Sequence, residues 1–460
     1  MTEAVGQGTG TSTSTSTSTN TSWLSVIWSA RRDPAARILN VDLLAVLIAI
    51  LLPWSTTGVT IAVVLWVIAF GCTVDLRAFM QSLARPICLL PIALFALALL
   101  GTLWSDAPWA MRLHAVSPAA KLLALPLLFC HFERSPRGLW VFIAFLASCV
   151  ALMVVSWIVA FEPNLSLKLY LSRGPYKVES GIAVRNYIDQ GQEFTLCAVA
   201  LAYPVVTLLR THKIWLAALL AAIALGLVFN MMFVVVSRTA LVTMPVMLAV
   251  FALLHLRRRT AAAALCVTAL LAAVIWNVSP SLRATADKFV TDYQRTESGN
   301  TMTGVGSRLV YWEKSLRFIA DAPLIGHGTG SIRGLFQRVA VVGQDGVTAE
   351  VVGDPHNQTL NVAVQWGVVG VVVLYAMWLS HLLLFRGEGL ANWIGLLVVV
   401  QNVFTSLFNS HLFDFFEGWL YVLGVGVAGG MALLQRVSHT NLGAVRVSPG
   451  QPDSRGGGST

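Results

Sequence analysis

Apolar stretches of roughly 16 to 25 residues recur along the chain between short polar punctuations, each long enough to cross about 30 Å of hydrocarbon as a helix. Twelve such stretches are legible, at 39–54, 57–73, 86–104, 116–132, 138–162, 190–209, 213–236, 239–256, 260–277, 359–384, 390–410 and 416–434. The pattern predicts an all-α polytopic membrane protein with about twelve transmembrane helices.

Only one polar stretch is long, 278–358, and long connections in a compact protein are usually functional. Within it, SRLVYWEKSLRFIADAPLIGHG changes to an amphipathic period. Ser307 is placed to cap a helix, Leu309, Trp312, Leu316 and Ile319 share a face, and Pro323 and Gly326 end it. The predicted organisation is a disordered segment 1–38, helices one to nine over 39–277, a large helical loop 278–358, helices ten to twelve over 359–434, and a disordered tail 435–460.

Composition narrows the class further. Apolar residues make up 56% of the 460 and charged residues 12%, with a mean hydropathy of +0.72, outside the range of soluble globular domains. The TSTSTSTSTNTS run at 11–22 is low-complexity and lacks the apolar core of a signal peptide. All six cysteines lie in or beside apolar stretches, so no disulfide framework or cysteine-rich metal site is expected.

Charge sets an expected orientation, because basic residues flanking a span tend to stay cytoplasmic. Arg31, Arg32 and Arg37 precede the first stretch; Arg77 and Arg85, Arg134 and Arg137, Arg210 and Lys213, Arg257 to Arg259, Arg386 and Arg436 follow the even-numbered ones. Both termini are then cytoplasmic, and 163–189, 278–358, Arg238 and 410–415 face outward. The net charge of +9 matches these inner arginines against anionic lipid, and no nucleic-acid-binding pattern accompanies it.

Three outward arginines carry candidate chemistry. Arg308 falls in the first turn of the amphipathic helix, where the helix dipole disfavours a cation. It is either solvated, paired with Glu313 or Asp321, or set against a bound phosphate. Arg238, in SRTA, sits between two apolar stretches, where it either snorkels or marks a substrate path. Arg185, in GIAVRNYIDQ, is the third: it is either merely solvated or joins the other two, since a guanidinium donates paired hydrogen bonds to phosphate oxygens without a metal.

His411, Asp414 and Glu417, in HLFDFFE, form a conceivable metal site, although their spacing matches no recognised ligand pattern. Asp414 could equally orient a base or an arginine. HExxH, GxSxG and DxD are missing, and GHGTG at 326–330 is weak as a nucleotide loop, so no cofactor is expected. His356 and Asn357 precede the tenth stretch. An imidazole beside a bound hydroxyl suits general base catalysis, whereas Asp354 or Asn357 capping the helix explains only the asparagine. Tyr311 and Trp312 either stack on sugar rings or pack in a core.

SRTA, then GSRLVYWEKSLRFIADAPLIGHGTG, then DPHNQTLNVAVQWGVVG, in that order on about twelve apolar stretches, resembles the bacterial O-antigen ligase and polymerase family. The resemblance implies a GT-C-like membrane fold and a metal-independent, inverting glycosyltransferase at the periplasmic face of a Gram-negative inner membrane. It implies undecaprenyl-pyrophosphate-linked O-antigen as donor and a lipid A-core oligosaccharide as acceptor. On this reading His356, Arg238 and Arg308 are catalytic, with Arg185, Asn357, Tyr311, Trp312 and Asp414 binding substrate. The dominance of 278–358 over 163–189 favours a ligase over a repeat-unit polymerase or a protein oligosaccharyltransferase. A twelve-helix transporter is the rival from another class, though no repeat relates the two halves.

Overall fold

The computed structural model describes residues 33–166, 181–235, 237–278, 306–340 and 350–446, with isolated positions between 280 and 291. The Thr/Ser run, the last residues of the tail, and much of 278–358 lie outside the described residues. Among the described residues the chain is helical, with no strand.

The helices in chain order are α1 (Pro34–Leu51), α2 (Thr56–Gly71), α3 (Leu76–Leu83), α4 (Pro86–Leu100), α5 (Trp109–Ala120), α6 (Ala124–Phe132), α7 (Gly138–Phe161), α8 (Tyr187–Ala200) and α9 (Ala202–Arg210). They continue with α10 (Ile214–Phe233), α11 (Arg238–His255), α12 (Arg258–Val278), α13 (Gly306–Asp321), α14 (Ile332–Val339), α15 (Gln358–Leu384), α16 (Leu390–Thr405) and α17 (Phe415–Arg446).

Each predicted apolar stretch falls on one helix or a consecutive pair. Among the described residues seven helical stretches are long and apolar enough to cross a membrane, α5 with α6 and α8 with α9 each counting as one, and the pair α2 and α3, bent by 116°, makes an eighth if it is one span. Pro86–Leu100, Val242–Leu254 and Leu390–Thr405 are shorter apolar helices. The protein is a multi-pass membrane protein.

Local chemistry moves several boundaries. The first helix starts at Pro34, ahead of the predicted apolar start, because Asp33 accepts a hydrogen bond from Ala35 N and Pro34 supplies a helical φ. The polar link after α2 becomes α3, capped by Asp75 on Arg77 N at 3.0 Å. The last helix runs to Arg446, beyond the predicted tail boundary at 435, since no proline intervenes before Pro449.

The eleventh predicted stretch, 390–410, is cut short: α16 stops at Thr405, and 406–414 turns back as a polar loop. That loop is tied to the start of α15 by Gln358 N donating to Ser406 O at 2.9 Å and Leu412 N donating to Gln358 Oε1 at 3.0 Å. Beneath it, α17 packs on α6 and α16. Gly426, Gly429 and Gly430 let the α17 backbone approach Leu128, Phe129 and Phe132, where a β-carbon would collide.

A break in α15 locks the outer region to the bundle. Gly367 has φ 61°, so Val368 N and Val369 N lose their helical acceptors and donate instead to Pro323 O at 2.8 Å and Leu324 O at 3.3 Å. The freed Val364 and Gln365 carbonyls accept from His327 N at 2.9 Å and Gly328 N at 2.8 Å. Thr329 completes the clamp, donating to Ala98 O at 2.6 Å and accepting from Trp366 Nε1 at 2.9 Å. GHGTG thus docks a helix break to α4 and does not have the form of a nucleotide loop.

Candidate functional site

The imidazole of His356 is held from both sides. Its backbone adopts φ 55°, a left-handed conformation that ordinary residues seldom take, and Asp354 Oδ1 fixes it by accepting His356 N at 3.0 Å. The same oxygen accepts Ser410 Oγ at 2.6 Å and Asn361 Nδ2 at 3.1 Å. Asp354 is therefore a hub joining the turn, α15 and the 406–414 loop.

His356 Nδ1 lies 2.7 Å from Asn409 Oδ1, and Asn409 Nδ2 donates to Asp414 Oδ2 at 2.7 Å. The carboxylate accepts only, so it fixes which end of the amide faces the ring; Nδ1 must then carry the proton and donate. In the neutral ring this leaves the Nε2 lone pair basic.

Asp414 is anchored in turn: the Lys121 ammonium, from the α5 to α6 junction, donates to the Asp414 and Phe413 carbonyls. Asn357 caps α15, its Oδ1 accepting Leu360 N at 3.1 Å while its Nδ2 donates to Leu407 O at 3.1 Å. Both amide groups are thus engaged within the protein, as the capping alternative required.

The outer helix α13 approaches the same turn. Trp312 Nε1 donates to Pro355 O at 3.1 Å, and the Tyr311 ring lies 6.2 Å from the His356 ring. Tyr311 is buried against Phe336 and Phe318, with Trp312 packed on the edge of this cluster, so both aromatics serve a small outer core. The Tyr311 hydroxyl donates to Glu350, and burial raises its pKa to about 12. Arg308 is one turn from Trp312 at i, i+4, on the face that reaches Pro355. The helix opens at Gly306, one residue before the cap predicted at Ser307.

Arg238 begins α11 behind Ser237, whose hydroxyl accepts Ala240 N at 3.4 Å; the Arg238 side chain lies outside the described residues. This start is wedged against Gly191 of α8, where a β-carbon would meet Ser237 Cβ at 2.7 Å. Arg185 lies just before α8, buried, donating to Leu52 O and stacked on Phe416, with Asp189 at 3.8 Å. Burial lowers its guanidinium pKa to about 10 against the pull of Glu193, Asp189 and Glu417, leaving it cationic at neutral pH.

A polar chain joins the two halves of the site. His411 Nδ1, buried, stands 3.2 Å from Asp414 Oδ2 and 3.6 Å from Glu417 Oε1, and Glu417 shares a hydrogen bond with Asp189. The ligand atoms of His411, Asp414 and Glu417 all lie within 4.8 Å of one another, so this triad is where a cation would be held. An imidazolium at His411 would satisfy the same two carboxylates without one.

Beside Asp354 and Asp414 opens a cavity of about 690 Å³ whose polar lining also includes His114, Arg333, Asn361 and Gln365. Its walls come from α5, α14, α15 and the 406–414 loop. The family model described as O-antigen ligase matches residues 221–375.

The match over 221–375 supports a place for this segment in the O-antigen ligase family. The matched stretch holds SRTA, α13, GHGTG, the His356 turn and the α15 break, and supports a ligase- or polymerase-type role in O-antigen assembly. It stops short of Arg185 and Asp414, which the motif resemblance had included. No curated protein matches the chain significantly.

Asn409, Asp354 as a hub, Lys121 and Arg333 were not singled out from the sequence. A signal existed for two: FNSH at 408–411 is a polar island in an expected span, and Lys121 is an ammonium in another.

Proposed function

We propose that the protein transfers a glycan from an undecaprenyl-pyrophosphate carrier to a hydroxyl of a lipid A-core sugar, by an inverting, metal-independent displacement. The observation that carries this reading is the Asp414, Asn409, His356 relay, which fixes the tautomer a general base needs. His356 Nε2 takes the acceptor hydroxyl's proton as that oxygen attacks the anomeric carbon. The bond from the anomeric carbon to the pyrophosphate oxygen breaks, and both electrons leave with the pyrophosphate.

Arg238 and Arg308 stabilise the negative charge on the departing group, with Arg185 adding to the field at the α8 end. The acceptor occupies the cavity bounded by Asp354 and Asp414. Lipid-linked donor and acceptor reach it by lateral diffusion, which reduces the search to two dimensions and raises the effective concentration.

The test is reconstitution of the purified chain with lipid-linked O-antigen, with and without lipid A-core. Product formed only with the core, and lost in His356→Ala, Arg238→Ala and Arg308→Ala, is the expected result. Chain lengthening without the core indicates a polymerase; unimpaired transfer by all three variants overturns the mechanism. Flux of substrate into proteoliposomes with no covalent product would indicate a transporter.

A further inference from the structure

At the end of α15 remote from His356, a separate cavity of about 510 Å³ opens between α9, α11, α15 and α16. A 27-residue helix separates the two sites by up to about 40 Å. Two guanidinium groups, Arg210 at the end of α9 and Arg386 just past α15, line this cavity against a single carboxylate, Glu388. The lining therefore has a net positive charge suited to one phosphodiester.

The rest of the lining is of two kinds. Asn392 is 7% exposed; its Nδ2 donates to Glu388 O at 2.9 Å, while its Oδ1 accepts no hydrogen bond. A buried acceptor left in this way is destabilising unless a donor reaches it. Leu254, Leu382, Leu396 and Trp393 form an apolar wall, and Leu254, 61% exposed, carries that wall to the outside of the bundle.

From these features we infer that the cavity binds the headgroup of a phospholipid that carries a hydrogen-bond donor beyond its phosphate. The phosphate bridges Arg210 and Arg386, the terminal ammonium or hydroxyl donates to Asn392 Oδ1 and Glu388, and an acyl chain runs along Leu254 and Leu382. Choline, having no N–H or O–H, cannot supply that last bond. The site is independent of glycan transfer and stands or falls separately from it.

Native mass spectrometry of the full-length, delipidated chain tests this, titrated with phosphatidylethanolamine, phosphatidylglycerol and phosphatidylcholine of matched acyl chains. The first two should bind about tenfold more tightly than the third, the value of one charge-assisted hydrogen bond. Arg210→Ala with Arg386→Ala should weaken both by at least about tenfold, and Asn392→Leu should close the gap to phosphatidylcholine. Equal binding of all three lipids by the unmodified chain, a comparison that needs no variant, overturns the proposal. So does displacement by soluble phosphoethanolamine at the concentration of the lipid, which would make this a site for free phosphate esters.

Discussion

His356 Nδ1 and Asn409 Oδ1 meet at 2.7 Å although 53 positions and two helices separate them. One partner sits in a left-handed turn before α15 and the other in the loop that cuts α16 short. Because Asp414 holds the far end of the amide, the ring is oriented by a neutral acceptor, and among the described residues no carboxylate bonds to it directly. Asn409→Ala should lower kcat about 10- to 100-fold with little change in KM, the usual cost of losing a group that orients a catalytic ring. Asn409→Asp should restore little of the rate at neutral pH, because its second carboxylate oxygen would face Asp414 Oδ2, where Nδ2 donates, and two carboxylates in contact repel unless they share a proton. A pH–rate profile on reconstituted enzyme reads both.

Arg308 is expected to act through charge and shape together. Arg308→Ala should reduce kcat by about 10² to 10³, the scale seen when one preorganised donor to developing charge is removed. Arg308→Lys should recover only part of this, since a point charge cannot span two phosphate oxygens. Single-turnover kinetics with a short lipid-linked donor separate the loss from donor binding.

Tyr311 should matter for stability and leave the pH profile unchanged. With its pKa raised to about 12 by burial, the phenol stays protonated across any working pH. Tyr311→Phe removes the bond to Glu350 and should cost about 1 kcal/mol. A lower thermal midpoint in detergent with an unshifted pH profile is the expected pair of results.

Gly367→Ala tests the clamp between the outer loop and the bundle. Its φ of 61° disfavours any β-carbon, and an added one would run into the Leu324 and Ile325 backbone. The backbone strain alone is about 1 to 3 kcal/mol, and the collision adds to it. Faster proteolysis within 306–340, measured against the unmodified chain, is the outcome to look for.

Chelation decides between the two ways of satisfying His411. Removing divalent cations with EDTA should leave transfer unchanged if an imidazolium bridges Asp414 and Glu417. Lost activity that is restored by adding a single metal would establish the triad as a cation site.

Helix positions were legible in the sequence because a membrane leaves few options: long apolar runs must satisfy their own backbone, and they do so as helices. At 390–410 the helix is shorter than the apolar run. Hydropathy registers Leu407 and Phe408 as continuing the run, whereas the backbone of Ser406 and Leu412 is more valuable as a partner for Gln358. Helix ends at Pro34 and Arg446 were likewise set by caps and by missing breakers, which average hydropathy does not resolve.

The roles of Arg238, Arg308 and His356 are what the motif resemblance implies; what the sequence determined by itself was the class of protein, the order of its motifs and the residue types they carry. Those follow from local composition and spacing, which short-range physics controls. Only the tertiary structure decided that Asn357 is a cap, that Tyr311 and Trp312 fill a core, that GHGTG repairs a broken helix, and that Asp414 reaches His356 through Asn409. Each of these depends on which distant backbone groups are left unsatisfied once the helices pack, and no local pattern carries that information.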